Sequence, residues 1–205
     1  MQNLYIIALK TIPVIDMGLF PFGSKRGKVK KMLEGNQIEI VVEQALKDKK
    51  TLNALFELLN EDNPGVVGDS LLVLTSILKQ NKNIVIKNLK EEHILKCFRL
   101  TKSKNPYVKE NAMVFLGFLM QESHDLFIKY RDRIIDEIKD ALTSGNKNDK
   151  AFALLMIKEF KLAKLKPYVE ELTGIQEKVI LPFEGMKWIP LGEVAKDVLN
   201  EIRDN

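Results

Sequence analysis

Few side chains in this sequence have the type and spacing that chemistry needs. They are one cysteine, Cys97, two histidines, His93 and His124, and the adjacent carboxylates Glu91-Glu92 and Glu170-Glu171. A single cysteine forms neither a disulfide framework nor a paired zinc motif. Cys97 falls 42 residues after Leu55, an apolar helix position, and reads as a small core residue. His93 stands beside Glu91 and Glu92 at the start of a predicted helix, and His124 follows Ser123, a good N-cap, so both read as capping or solvated groups. Neighbouring helical residues point about 100° apart, so neither carboxylate pair forms a preorganised acid–base couple. The sequence has no Gly-rich phosphate loop, no H-E-x-x-H and no G-x-S-x-G. No catalytic, cofactor-binding or metal-ligating residue is assigned, and the expectation is a protein that is not an enzyme and needs no cofactor.

What remains is a chain built to pack and to bind. It has 205 residues, 45% hydrophobic and 29% charged, enough to bury a core, with a net charge of +4. No run approaches the roughly 18–20 apolar residues that span a bilayer. The first twenty residues lack the basic start and long apolar run of a signal peptide. The expected compartment is cytoplasmic, with no membrane partner.

The elements are legible from a repeat. The pattern small–x–x–apolar–apolar–x–x–apolar occurs at Ser70, Val73, Leu74, Ile77 and again at Ala112, Phe115, Leu116, Leu119. It returns at Ala153, Met156, Ile157, Phe160 and at Ala195, Val198, Leu199, Ile202, giving spacings of 42, 41 and 42. Offsets 0, 3, 4 and 7 mark one face of a helix, and the small residue admits a neighbouring helix. Asn63-Pro64 and Asn105-Pro106 place an N-cap and a first-turn proline before two of these helices. A second helix precedes each, so the predicted unit is helix A (about 51–60, 91–101, 125–143), a polar loop, then helix B (about 64–80, 106–121, 148–162). Gly145 reads as a helix C-cap. The fourth unit carries an insertion, in which 179–181 and 186–189 read as two extended runs about the turn 182–185. Stretches 25–34 and 37–48 form a degenerate first pair, since terminal repeats are usually atypical.

A two-helix unit of this length is similar to the HEAT/armadillo class. Pro106-Tyr107-Val108-Lys109 followed by Ala112 resembles the HEAT-like "P-x-V-R…A" start of helix B. Leu191 to Leu199 resembles the "V-G-E-x-A-x-x-x-L" closing repeat of small archaeal HEAT-like proteins, those of the PBS-lyase type, and Met17-Gly18-Leu19-Phe20 resembles their usual start. The resemblance implies an all-α, right-handed α-solenoid of about five helix pairs with a period of about 42 residues. Residues 24–205 would form the repeat domain and 1–23 an N-terminal extension, of which 1–16 is either upstream of the true start, a mobile arm or a docked segment. Val67 stands where Lys109 leads one to expect a base, so the Asp–Arg ladder of such arrays is not expected here. The His-Glu pairs of the iron-dependent hydroxylase relatives are absent. The resemblance implies a scaffold for other macromolecules.

Partner-binding residues are expected on the B helices, which line the concave surface of a solenoid. The Phe118 position reads Ser76, Phe118, Glu159, Glu201 across the repeats, and the Met120 position reads Leu78, Met120, Lys161, Arg203. Tolerance of polar residues there places Phe118, Met120, Met113 and Lys161 among the candidate binding residues; burial of this central repeat by its neighbours is the alternative. Trp188, in the inserted segment, either caps the core or anchors a partner. Charge is uneven: residues 79–109 carry nine bases and two acids. Lys102, Lys104 and Lys109 could form a basic patch for phosphates or an acidic protein. The leading reading is a protein–protein interaction scaffold with an unknown protein partner on the concave helix-B surface. The alternative is a nucleic-acid-associated protein using the basic block 79–109.

Overall fold

The computed structural model describes residues 24–180 and 188–202. The expectations for residues 1–23, the turn 182–185 and Arg203 lie outside the described residues. Twelve α-helices and one short hairpin are described. Five helix pairs succeed one another: α1 (Lys25–Glu34) with α2 (Ile38–Lys47), α3 (Lys49–Leu58) with α4 (Pro64–Gln80), and α6 (Glu91–Leu100) with α7 (Pro106–Glu122) follow in order. The array ends with α9 (Arg131–Ser144) and α10 (Lys147–Phe160), then α11 (Lys166–Glu170) and α12 (Leu191–Glu201). Two short helices, α5 (Lys82–Asn88) and α8 (His124–Lys129), occupy connections from one pair to the next.

The caps explain where the long helices begin. The Asn63 side chain accepts from the Gly65 N–H at 3.0 Å, and Asn105 accepts from Val108 N–H at 3.2 Å. Asn146 accepts from Asn148 and Asp149 N–H, while Asp149 Oδ2 accepts from Asn146 N–H at 2.9 Å, a reciprocal capping box. Pro64 and Pro106 occupy first-turn positions where no intrahelical donor is lost.

Packing follows the repeat. The A helices meet as α1 on α3 and α6 on α9, and the B helices as α2 on α4, α4 on α7 and α10 on α12. The small residues Ser70, Ala112, Ala153 and Ala195 are all buried, as are the apolar residues at offsets 3 and 4. The outcome is one continuous core in an all-α solenoid. Gly68 shows how close the B helices come. A Cβ there would stand 2.3 Å from the Tyr107 ring of α7, whose hydroxyl donates to Asp69 at 2.6 Å.

Three features depart from the sequence reading. The helix expected over 125–143 is broken at Tyr130 into α8 and α9. The break turns Phe127 into the core, stacked on Phe160 at 5.0 Å between centroids and edge-on to Phe98. Gly145 does sit at the C-cap of α9, but in extended backbone (φ −73°, ψ 157°) rather than the left-handed cap. Its missing side chain is a matter of space, since a Cβ would stand 2.3 Å from the Ala141 carbonyl oxygen. One rung of an inter-repeat ladder exists after all: Lys109 Nζ of α7 lies 2.6 Å from Asp149 Oδ1 of α10, both side chains largely buried. The helix-B packing also loosens at one place, because α7 and α10 do not pack along one another as α4 and α7 do.

Candidate partner-binding groove

The loosened α7–α10 seam is an open groove of about 720 Å³. That volume lies within the range of about 300–1,000 Å³ typical of ligand sites. Met113 and Val114 of α7 and Ala151 and Phe152 of α10 line it, and Ile180 and Trp188 close one side. The last two come from the hairpin of β1 (Lys178–Ile180) and β2 (Trp188–Pro190), antiparallel strands in which Ile180 lies directly opposite Trp188. Alternation along β1 explains the split: Val179 is fully buried against the array, while Ile180 and Trp188 face outward. Cross-strand neighbours on one face support one another, so the pair forms a firm apolar wall. Trp188 is 62% exposed, a large apolar surface left in water.

The groove is not uniform. Lys104, from the loop before α7, and Lys147, at the first position of α10, line its end at the helix starts. Lys147 Nζ pairs with Glu177 at 3.1 Å, an exposed contact that water and salt weaken. Glu110 also lines the groove, about one turn into α7. Lys109 is spent on Asp149, whose Oδ1 meets that ammonium off the line of a good hydrogen bond and has no other donor.

The structure brings together four of the residues singled out from sequence: Met113, Trp188, Lys104 and Lys109 all line this groove. It does not bring the others there. Met120 is 7% exposed and belongs to the core, because helix B is packed on both sides at that turn. Phe118 is half-buried, with the Lys79 ammonium of α4 4.0 Å from its ring centroid. Lys161 is exposed at the end of α10 in a left-handed conformation and pairs with Glu201 at 2.8 Å. Lys102 is turned to the helix-A side, held by Glu137 and Asp140 of α9. Burial disfavours its charge, but those carboxylates more than offset the penalty and hold its pKa above the ordinary lysine range. Lys102, Lys104 and Lys109 therefore do not form one patch.

Sequence reasoning singled out Met113 and Val114 as extra apolar groups of α7 but missed Ala151, Phe152 and Ile180, which line the groove with them. Leu72, Val114 and Leu155 occupy one repeat position, 42 and 41 residues apart, on α4, α7 and α10. Leu72 is 38% exposed and the other two are half-buried. An apolar residue kept at a partly solvated repeat position was the signal available in the sequence.

The cysteine and the two histidines lie away from the groove lining. Cys97 is buried, and burial pushes its thiol up to about 12. His93 stacks on Phe56 at 4.2 Å and its Nδ1 accepts from the Lys90 N–H, while burial lowers its pKa. His124 lies beside Phe160 and 3.8 Å from Glu159. Among the described residues no group of three or more histidine, cysteine or acidic side chains could hold a metal ion. Among them too, no helix is long and apolar enough to cross a membrane.

No family model matches the chain, and no curated protein sequence matches it. Among solved structures it is similar to the archaeal HEAT-like repeats protein from Thermococcus onnurineus NA1, at 16% identity and a TM-score of 0.31. That match covers 87% of this chain and 97% of the other. The all-α repeat architecture described above stands on this chain's own helix packing.

Proposed function

We propose that the chain is a non-enzymatic protein-interaction scaffold that receives a partner segment in the α7–α10 groove of its helix-B face. The observation that carries this reading is Trp188. It is a large ring left mostly in water, paired across the hairpin with Ile180, and set beside an apolar floor. Tryptophan is among the residues that most often anchor interfaces, and a preformed groove costs little ordering on binding.

The nucleic-acid alternative has less behind it. Of the nine bases between 79 and 109, Lys82, Lys90, Arg99, Lys102 and Lys109 each have a carboxylate partner, and Lys79 lies over Phe118. Charge already neutralised releases few counterions from a phosphate backbone.

Affinity capture from native-source lysate tests both readings, at low and high salt and with and without nuclease. The expected result is a stoichiometric protein that survives nuclease, is held by the wild-type chain, and is lost with Trp188→Ala and with Val114→Asp while both variants still melt cooperatively. Nucleic acid recovered at low salt and lost at high salt, indifferent to both substitutions, would overturn the groove reading.

A further inference from the structure

The groove has two ends of different chemistry, and together they specify more than an apolar contact. We infer that its occupant is an acidic segment of a partner protein in which a large apolar side chain lies close to a carboxylate; this rests on the scaffold reading above. The apolar side chain would enter between Val114 and Phe152 against the wall made by Ile180 and Trp188. The carboxylate would lie at the end formed by Lys104 and Lys147.

The charges carry the second half of the inference. Lys104 is exposed and has no ion-pair partner among the described residues. Among the described residues Lys147 is held by the exposed Glu177 alone, a contact a partner carboxylate could share or displace. Lys109 adds no free charge, because Asp149 neutralises it. Among the described residues Glu110 is the one exposed acid lining the groove, and its position within α7 sets a limit: a second carboxylate placed beyond the lysines would meet it. The acidic residue is thereby confined to the end near the helix starts, and the apolar residue to the interior. A basic segment would face Lys104 and Lys147 on entry, so like-charge repulsion selects against it.

Selection of random twelve-residue peptides displayed on phage, panned on the immobilised full-length chain, tests this. Each enriched peptide is then synthesised and titrated, with the fluorescence of Trp188, the only tryptophan in the chain, as readout. The expected result is a consensus pairing an aromatic or leucine-sized residue with an aspartate or glutamate. Its binding shifts Trp188 emission to the blue, weakens at least tenfold in the Lys104→Glu/Lys147→Glu double variant, and disappears in Val114→Asp. A consensus that is lost in Val114→Asp but is neutral or basic, or that ignores the lysine reversals, would overturn the acidic-segment inference and leave the scaffold reading standing. Peptides indifferent to Val114→Asp, or no enrichment at all, would remove both. Trp188→Ala, at an exposed site, repeats the Val114 arm by direct capture should that variant fail to fold.

Discussion

Tyr107 fills on α4 the space that Gly68 leaves empty. Its hydroxyl donates to Asp69, and its pKa is pushed up to about 12 by burial and by that carboxylate. Gly68→Ala would force the ring out of this contact and should cost about 1–3 kcal/mol, as overpacking does, while Tyr107→Phe should lose only about 1 kcal/mol with its hydrogen bond. Urea midpoints of the two variants check both numbers. His93 gives stability a pH dependence of definite sign. Burial holds its pKa below the ordinary 6.5, so the unfolded chain binds this proton more readily than the folded one. Its contribution is therefore complete above about pH 6.5 and is lost as pH falls below that value. The urea midpoint should drop between pH 7 and pH 5 in the wild type, and drop less in His93→Phe, which keeps the ring against Phe56. Equal drops in the two proteins would assign the effect to other groups. At this scale the sequence was a fair guide to the inert residues: a cysteine in register with Leu55 had to be apolar core, and it is. It was a poor guide to Met120: Lys161, at the same position of the next repeat, is exposed just past the last residue of α10, whereas Met120 still lies within α7 and packs into the core.

At the scale of elements, the 42-residue period and the Asn-Pro starts marked the long helices almost to the residue, since both depend on local sequence and a regular neighbour. The period did not reveal α5 and α8, the break at Tyr130 or the opened seam. These arise where a large ring such as Phe127 must find a place among non-local partners. The closing unit also brings backbone into close approach. The Gly192 N–H donates to the Ile175 carbonyl at 2.9 Å, and a Cβ at 192 would stand 2.4 Å from the Thr173 oxygen. Gly192→Ala should therefore lift α12 from its seat and lower the melting temperature by several degrees, consistent with about 1–3 kcal/mol of overpacking. Val179→Asp should do more, burying an unpaired carboxylate beneath the hairpin. By releasing Ile180 and Trp188 it should also abolish partner capture, whereas Gly192→Ala should weaken capture less than it weakens stability.

For the whole molecule, the Lys109–Asp149 pair joins the two sides of the groove where helix packing is sparse. Removing one partner of a buried pair typically costs about 3–5 kcal/mol, because the other charge is left behind. Lys109→Ala should approach that cost, and Lys109→Met with Asp149→Asn should recover part of it, since asparagine can still cap α10. Chemical denaturation of the three proteins measures the difference. The site as a whole was half legible: Met113, Trp188, Lys104 and Lys109 could be picked out one by one, but a groove is made by the absence of packing between two helices, and no single segment encodes an absence. That same absence has a mechanical meaning. The helix-A layer runs on through α6 and α9, while the helix-B layer is thinnest between α7 and α10, where the Lys109–Asp149 pair bridges the groove. A rod continuous along one edge and notched along the other bends at the notch. The expected consequence is two stiffer blocks, with bending concentrated in the angle between them. An occupant wedged at Val114 would act as a splint, and single-molecule distance measurements between labels on α4 and α12 should narrow in spread when a peptide is bound.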